Sequence, residues 1–367
     1  MGQLHKRSLM MAALAGVVAT TSVHAEQVRV YNWSDYIAPE TLEQFTRQTG
    51  IDVVYDVFDS NEVLDAALLA GRSGYDVVVP SNHYLSRQLS AGVYQKLDHA
   101  QLPNLENLDT RLLEELEEVD PGNRYSVPYM WGTNGIGYNA DRVTEILGED
   151  AALDSWALLF DPEVTGALSD AGCGIAMLDS ADEMLSPAMA YIGLDPRSND
   201  IDDLKAGGEV IAKVRDDVTY FHSSRYIGDL ANGDVCVAAG YSGDVLQAAD
   251  RAAEAGRDFT IAYTVPKEGA ALWFDMMAIP ADAPNPDHAH AFINFILQPE
   301  IAAEITEYVR YANPNAAADA YLPDEILDNP AIYPGDAVMD KLYVANEKPR
   351  DVQRARTRIW NRVKSGR

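Results

Sequence analysis

Short apolar runs alternate with segments of helical hydrophobic spacing over the first part of the chain. Three runs are rich in β-branched residues and predict strands: 28–32, 51–58 and 75–80. Between them, Pro39 and Gly50 are placed to begin and end one predicted helix, and Asp59-Ser60 and Gly71 bound another. The resulting β-α-β-α-β order predicts an α/β sheet with parallel strand pairs.

The remainder of the chain continues this alternation. Six further apolar runs predict strands: 126–131, 136–138, 174–178, 235–239, 259–265 and 272–280. Five segments predict helices: 156–168, interrupted by Pro162 and Gly166, 245–255, capped by Ser242, 288–297, 301–311 and the basic segment 351–364. Residues 132–135 lie between two strands and predict a crossing between domains, because 367 residues suggest about two domains.

The first 25 residues have the parts of a secretory signal peptide. Lys6 and Arg7 give a positive start, residues 9–19 form an apolar run, and residues 23–25 give a small-x-small cleavage pattern. The run is too short for a transmembrane helix, and a core helix at the N-terminus is the weaker alternative. The sequence therefore predicts export and a mature chain that begins at Glu26.

The charge of the chain is strongly negative. Lys and Arg total 28 against 57 Asp and Glu, and loss of the two positive charges in the predicted signal peptide takes the net charge from −29 to −31. Such a field disfavours nucleic acid and anionic lipid and attracts cations. The pattern indicates either a solvated acidic surface or a cationic ligand.

Two cysteines remain in the exported chain. Cys173 and Cys236 allow one pairing, and an oxidising compartment favours a structural disulfide over two buried free thiols. Their separation of 63 residues excludes a CxxC redox motif.

Aromatic residues stand beside carboxylates near three predicted strands: Trp33-Ser34-Asp35-Tyr36, Tyr241-Ser242-Gly243-Asp244 and Trp273-Phe274-Asp275. Ligands of α/β folds bind beyond the carboxyl ends of strands. Aromatic faces attract ammonium groups, and carboxylates accept charge-assisted hydrogen bonds from them. The pattern suits a molecule with methylenes between amines, although each ring could instead belong to the core and each Asp to a turn or cap.

Enzymatic motifs are weak in this sequence. The segment 240–243 resembles a nucleophile elbow but lacks the second glycine at the required offset, and 135–137 lacks the third glycine of a dinucleotide loop. Neither a Walker loop nor an HExxH motif occurs, and the histidines are scattered. We therefore expect no enzyme, no cofactor and no metal site.

Seven stretches carry a resemblance to one family: YNWSDYIAP at 31–39, YDVFDSNE at 55–62, VPS at 79–81, PYMW at 128–131, YFHSS at 220–224, LANGD at 230–234 and YAN at 311–313. With them the mature chain closely resembles the periplasmic putrescine- and spermidine-binding proteins of polyamine ABC transporters. The resemblance implies a two-lobed, type II-like periplasmic binding protein fold of α/β class. Its ligand cleft lies between lobes joined by crossing hinge segments. The implied lobes are 26–134 plus 272–318 and 135–271 plus 319–367.

The resemblance also implies a set of ligand-binding residues: Trp33, Ser34, Asp35, Tyr36, Ser81, Glu183, Ser224, Tyr241, Asp244, Trp273, Asp275 and Tyr311. In this reading the rings of Trp33 and Tyr36 form walls, and Ser34 and Asp35 bind one amine end. The cysteine pair falls where putrescine-type members carry their disulfide.

Several positions bear on which polyamine is bound. Putrescine-type members usually have Trp where this chain has Tyr241, Phe where it has Trp273, and a small Ser where it has His83. Trp273 resembles the spermidine-preferring members, whereas Ser34-Asp35 is the putrescine-type pair. Taken together, these positions slightly favour spermidine over putrescine as the bound polyamine.

The resemblance implies a transport function. We expect a monomeric periplasmic protein that captures spermidine or putrescine by hinge closure and delivers it to a membrane ABC permease, with no nucleic-acid partner. A binding protein for another cationic ligand, such as cadaverine or a basic amino acid, is the alternative. A secreted enzyme acting on a cationic substrate has less support, because no convincing nucleophile, base or metal set is present.

Overall fold

The computed structural model describes residues 26–345 and 348–366. The predicted signal peptide lies outside these residues. No helix in the described part of the chain has the length and apolar character needed to cross a membrane.

Ten strands of the described chain join in one continuous sheet: β1 Gln27–Trp33, β2 Asp52–Phe58, β3 Val77–Val78, β4 Ser126–Asn139, β5 Ile175–Met177, β6 Tyr220–Phe221, β7 Val237–Tyr241, β8 Ile261–Thr264, β9 Ala270–Ala278 and β10 Leu342–Val344. The strand order is β2-β1-β3-β9-β4-β7-β5-β6, with β10 on β9 and β8 on β4. β1 is parallel to β2 and β3, and β5 is parallel to β6 and β7. The predicted α/β class with parallel pairs is confirmed.

Sixteen α-helices cover this sheet within the described residues: α1 Pro39–Thr49, α2 Asn61–Leu69, α3 Asn82–Ser90, α4 Thr110–Glu115, α5 Ala140–Leu147, α6 Ala157–Phe160, α7 Pro162–Asp170, α8 Ala181–Tyr191, α9 Ile201–Val214, α10 Arg225–Asn232, α11 Ser242–Glu254, α12 Pro286–Ile296, α13 Pro299–Val309, α14 Asp324–Leu327, α15 Asp336–Met339 and α16 Arg350–Lys364. Short 3-10 turns connect several of them.

The buried apolar residues divide the molecule into two lobes. In the first lobe they form two clusters on opposite faces of the sheet, so Val77 points into one cluster and its neighbour Val78 into the other. The second lobe has one main cluster, which includes Ile136 of β4, Val237 of β7 and Trp360 of α16. The α/β two-lobed architecture therefore has a separate core on each side of the crossing strands.

Strand β4 carries the chain from one lobe to the other without a break. Residues 126–133 pair antiparallel with β9, and residues 134–139 pair with β7 and β8. The sequence predicted two strands separated at 132–135, but all fourteen residues of β4 are buried and extended. Pairing partners on both sides keep this glycine-containing segment in the sheet.

Several predicted helix ends differ from the observed ones. The segment 156–168 forms two helices, because Pro162 fits only the first turn of a helix and starts α7. Ser60 caps α2 as expected, and Gly71 follows the C-cap residue Ala70 with a φ of 70°, as expected for a glycine that ends a helix. Ser242 is the first residue of α11 and not its cap, a position that Tyr241 occupies.

The C-terminal segment also packs differently from the implied lobe division. Leu322, Ile326 and Ile332 lie in a core cluster of the first lobe, with Phe58 and Phe274. Residues 319–339 therefore pack with the first lobe, whereas the implied division assigns them to the second. The later helix α16 does pack on the second lobe, through Trp360 and Val363.

A disulfide links the two cysteines in the second lobe. Cys173 follows α7 and Cys236 precedes β7, and their Cα atoms are 5.5 Å apart, within the normal range for a bridge. Both residues are buried. The predicted pairing is confirmed, and it ties the start of β5 to the start of its neighbour β7.

We expect loss of this disulfide to destabilise the protein by about 4 kcal/mol, because in the chain-entropy model a closed loop of 63 residues restricts the unfolded chain by about that amount. Urea unfolding of the oxidised chain and of Cys173→Ser/Cys236→Ser measures the difference. Dithiothreitol should lower the stability of the native chain and leave the double variant unchanged. Equal stability of the two chains would contradict the prediction.

Candidate functional site

A cleft between the two lobes brings together eleven of the twelve residues expected to bind ligand. The described residues that line it are Trp33, Ser34, Tyr36, Asp59, Ser81, His83, Glu183, Ser223, Ser224, Tyr241, Asp244, Trp273, Asp275 and Tyr311. Many of them follow strand ends: Trp33 closes β1, Ser81 follows β3, and Tyr241 closes β7. This is the edge at which α/β sheets generally present ligand-binding side chains.

Asp244 lies in the first turn of α11 and is held by two tyrosines. Tyr311 donates a hydrogen bond from its hydroxyl to Oδ1 of Asp244 at 2.7 Å, and Tyr226 donates one to Oδ2 at 2.8 Å. Tyr311 belongs to the core of the first lobe and Tyr226 to that of the second. Burial raises the pKa of Asp244 to about 6, although these hydrogen bonds act in the opposite direction.

Asp275 lies within β9 and faces the same cleft. Its Oδ1 accepts a hydrogen bond of 2.6 Å from the hydroxyl of Ser81, which itself accepts one of 3.0 Å from the side chain of Asn61. Burial, reinforced by the nearby charge of Asp244, raises the pKa of Asp275 to about 7. The chain of hydrogen bonds fixes the carboxylate and leaves it further lone pairs for a ligand.

Glu183 comes from the opposite wall, in the first turn of α8. The hydroxyl of Tyr241 donates a hydrogen bond of 2.7 Å to its Oε2. Burial raises the pKa of Glu183 to about 8, against the effect of that hydrogen bond. The neighbouring Asp182 faces elsewhere and pairs with Arg356, which distinguishes the two adjacent acids.

The electrostatic character of the cleft follows from these groups. Among the described lining residues are four carboxylates and no lysine or arginine. The one histidine there, His83, has a pKa lowered to about 4 by burial, so it is neutral at neutral pH. Buried carboxylates without a countercharge carry a desolvation penalty that an incoming cation can relieve.

Aromatic rings form the walls of the cleft. The ring of Trp273 lies 5.9 Å from that of Tyr241 and 5.3 Å from that of Tyr311, edge to face in both cases. Tyr36 packs edge-on against Tyr311 at 5.2 Å. Such geometry is typical of favourable aromatic pairs and holds the rings in fixed orientations beside the acids. The arrangement can contact methylene groups while carboxylates receive ammonium groups.

Two glycines make room for these rings. A Cβ on Gly132 would lie 2.7 Å from the ring of Trp273, and one on Gly243 would lie 2.5 Å from the ring of Tyr311. Both distances are shorter than side-chain packing tolerates. The observed positions of the Trp273 and Tyr311 rings therefore require glycine at both of these sites.

Asp35 is the expected site residue that the structure separates from the others. Its carboxylate receives a hydrogen bond of 2.7 Å from Arg251 of α11 and is about 40% exposed. The arginine therefore satisfies the charge that the family resemblance assigned to an amine. Asp35 joins the two lobes at the rim of the cleft, outside its lining.

Three lining residues were not anticipated as ligand contacts. Asp59 and Ser223 lie within the family-like stretches 55–62 and 220–224, so that resemblance offered a signal for both. His83 is identified from the sequence only as a position where putrescine-type members have a small Ser. No group of three or more His, Cys, Asp or Glu suited to a metal ion occurs in the described part of the chain.

Known proteins that are similar to this chain in sequence are named as polyamine-binding proteins. The putrescine-binding periplasmic protein SpuD of Pseudomonas aeruginosa is 54% identical, over 98% of each chain. The putrescine-binding periplasmic protein PotF of Escherichia coli is 47% identical, over 97% of this chain and 96% of PotF.

Solved structures give the same picture of the fold. A putative spermidine/putrescine ABC transporter protein from Listeria monocytogenes superposes with a TM-score of 0.82 at 34% identity, covering 93% of this chain and all of the other. Residues 40–334 match the family described as bacterial extracellular solute-binding protein. That family and these relatives are solute-binding transport proteins and not enzymes, in agreement with the sequence analysis. The chain belongs to the bacterial extracellular solute-binding protein family.

Proposed function

We propose that this protein captures a polyamine in its cleft for uptake by an ABC transporter. The observation that carries the proposal is the set of three carboxylates, the buried Asp244 and Asp275 and the half-buried Glu183, in an aromatic cleft whose described lining contains no lysine or arginine. A ligand with separated ammonium groups supplies the missing charge, and its methylenes lie against the rings. The names of the similar relatives support the same class of ligand.

Capture proceeds by closure of the two lobes around the ligand. Asp275 and Trp273 lie on β9 of the first lobe, and Glu183 and Asp244 come from helices of the second. A polyamine that contacts both sides stabilises the closed arrangement over an open one, by the difference between its affinities for the two. The chain crosses between lobes within β4, so bending there can open the cleft.

Contacts between α11 and the first lobe stabilise the closed arrangement. Arg310 and Asp250 form an ion pair of 2.7 Å, and Arg251 pairs with Asp35 at the same distance. The side-chain amide of Gln247 donates a hydrogen bond of 3.0 Å to the carbonyl oxygen of Val309. Closure therefore forms hydrogen bonds at the rim while burying the ligand beneath it.

The same proposal places the mature chain in the periplasm, where it acts as a monomer. The predicted signal peptide exports it, and the closed form docks on the membrane permease of the transporter. Names of the relatives support the compartment, since two of them are called periplasmic.

Titration of stripped protein with a panel of amines tests this function directly. After unfolding and refolding to remove bound ligand, we expect putrescine or spermidine to bind at about micromolar Kd or tighter, equivalent to about 8 kcal/mol. Butylamine, which has one ammonium group, is the matched control and should bind at least about 100-fold more weakly. Tighter binding of spermidine than of putrescine would agree with the preference predicted from Trp273 and Tyr241.

Absence of heat from both polyamines in that calorimetry would contradict the proposal. Cadaverine and arginine complete the panel, and tight binding of either alone would favour the alternative of another cationic ligand. A thermal melt with each compound gives an independent measurement, because a ligand that binds the folded chain raises its Tm by mass action.

Removing one buried charge should abolish most of the affinity. We expect Asp244→Asn and Asp275→Asn each to weaken polyamine binding by two or more decades, since breaking a buried charge pair costs roughly 3–5 kcal/mol. Asp35→Asn is the matched control. It makes the same chemical change in an exposed ion pair, worth about 1 kcal/mol at most, and should weaken binding less than about tenfold.

Melting of the ligand-free variants separates binding from folding. The raised pKa values of Asp244 and Asp275 mean that burial favours their neutral forms, so a neutral Asn should leave the unliganded fold intact. Near-native affinity in both Asn variants, or equal losses in Asp35→Asn, would contradict the assigned roles.

Polyamine affinity should depend on pH through the same acids. In the empty cleft, Asp244, Asp275 and Glu183 have pKa values raised to about 6, 7 and 8. A bound cation favours their ionised forms, so binding releases protons near neutral pH and weakens as pH falls. Calorimetry at pH 7 in buffers of different ionisation enthalpy measures that release. A constant affinity between about pH 5.5 and 8.5 with no proton release would contradict this account.

A further inference from the structure

A second and larger cavity lies beside the polyamine cleft. It has a volume of about 720 Å³, within the range of small-molecule sites. Its walls come from α3 of the first lobe and from α8, β10 and α16 of the second. His83 lines both cavities.

The charge of this cavity is opposite to that of the protein as a whole. Arg87, Arg197 and Lys348 line it together with four arginines of α16, whereas Asp182 is the one carboxylate among its described lining residues. The full chain has a net charge of −29. Of the α16 residues, the exposed Arg350, Arg354 and Arg358 form no ion pair with a described residue. A cavity lined mainly by basic residues, in a protein of net negative charge, favours the binding of an anion.

Arg356 is buried at the base of this cavity. Its side chain is 1% exposed, and its Nε forms an ion pair with Asp182. Its Nη2 donates hydrogen bonds to the carbonyl oxygens of Ala181 and Asp182, whereas Nη1 has no partner among the described residues. A buried guanidinium donor without an acceptor is costly, so an oxyanion that supplied an acceptor to it would remove that cost.

Two further polar groups of the lining support the inference that an anion binds in this cavity. The hydroxyl of Tyr343 and Nδ1 of His83 are buried and lack a hydrogen-bond partner among the described residues. Burial, together with the charge of Arg356, lowers the pKa of Lys348 to about 8. Unpaired polar atoms and an excess of positive charge thus lie on the same cavity lining.

We propose that this cavity binds a phosphate-class oxyanion. Guanidinium groups match phosphate oxygens in paired hydrogen bonds, and an ammonium group adds a compact positive charge. The described arrangement supplies both, with Arg356 at the base and Lys348 and Arg354 on the same lining. The phosphate can be a free ion or the headgroup of an anionic lipid.

The oxyanion also bridges the lobes. Arg87 lies on α3 of the first lobe, where its Nη2 also pairs with Asp65 at 2.8 Å, and Arg356 and Lys348 lie on the second. An anion between them stabilises the closed arrangement that the polyamine stabilises, a step that rests on the proposed function. By reciprocity, each ligand then raises the affinity of the other.

Calorimetry of the mature chain with inorganic phosphate and with pyrophosphate tests the site without polyamine. Lys348→Gln and Arg354→Gln should each weaken binding about tenfold or more, as expected for a charged hydrogen bond. Arg362→Gln is the matched control, because it makes the same change in α16 outside this cavity. Absence of phosphate binding, or equal loss in Arg362→Gln, would overturn the site.

Flotation with vesicles that contain phosphatidylglycerol distinguishes the two sources. Flotation lost in Lys348→Gln and retained in Arg362→Gln assigns the phosphate to a lipid headgroup, and binding of pyrophosphate without flotation assigns it to a free ion. Both results support the site.

Putrescine affinity measured in phosphate and in chloride of equal ionic strength tests the bridge. We expect roughly fivefold tighter putrescine binding in phosphate, and no difference in Lys348→Gln. Unchanged affinity in the native chain despite phosphate binding would overturn the bridge. If neither putrescine nor spermidine binds, the proposed function falls, while the phosphate titration still decides the oxyanion site.

Discussion

Three carboxylates in one cleft, with no lysine or arginine among the described lining residues, are the constraint on which the rest of this structure depends. Burial raises the pKa of Asp244, Asp275 and Glu183, so each ionises less readily in the empty cleft than in water, and a bound cation favours its ionised form. Hydroxyl donors from tyrosine and serine offset part of that penalty and hold each acid in position. Tyr241 and Tyr311, which supply two of those donors, also form walls of the cleft, so these side chains perform both tasks.

The two lobes are coupled through the same residues. Asp244 belongs to α11 of the second lobe, yet its Oδ1 accepts a hydrogen bond from Tyr311 of the first. The backbone N–H of Asp244 in turn donates to the Tyr311 hydroxyl at 3.1 Å. A ligand that changes the charge of this acid therefore acts at a contact between lobes. Occupancy and closure become two aspects of one equilibrium.

Charge is distributed unevenly over this acidic protein. The polyamine cleft gathers carboxylates, and the neighbouring cavity gathers arginines and a lysine. Asp182 and Glu183 are consecutive in α8 but serve the two different spaces, one paired with Arg356 and the other with Tyr241. A helix turns by about 100° per residue, so adjacent acids face different directions. His83, neutral between the two cavities, separates their opposite charges.

Sequence patterns alone predicted the alternation of strands and helices, because burial repeats every two residues in strands and every three to four in helices. They also pointed to the aromatic-acid segments, and the family resemblance extended that set to Ser81, Glu183, Ser224 and Tyr311. Only the tertiary structure showed that Asp35 pairs with Arg251, that β4 runs unbroken between lobes, and that residues 319–339 pack on the first lobe. These outcomes depend on partners distant in the sequence, such as Asp35 and Arg251, which are 216 residues apart, and local periodicity carries no information about such contacts.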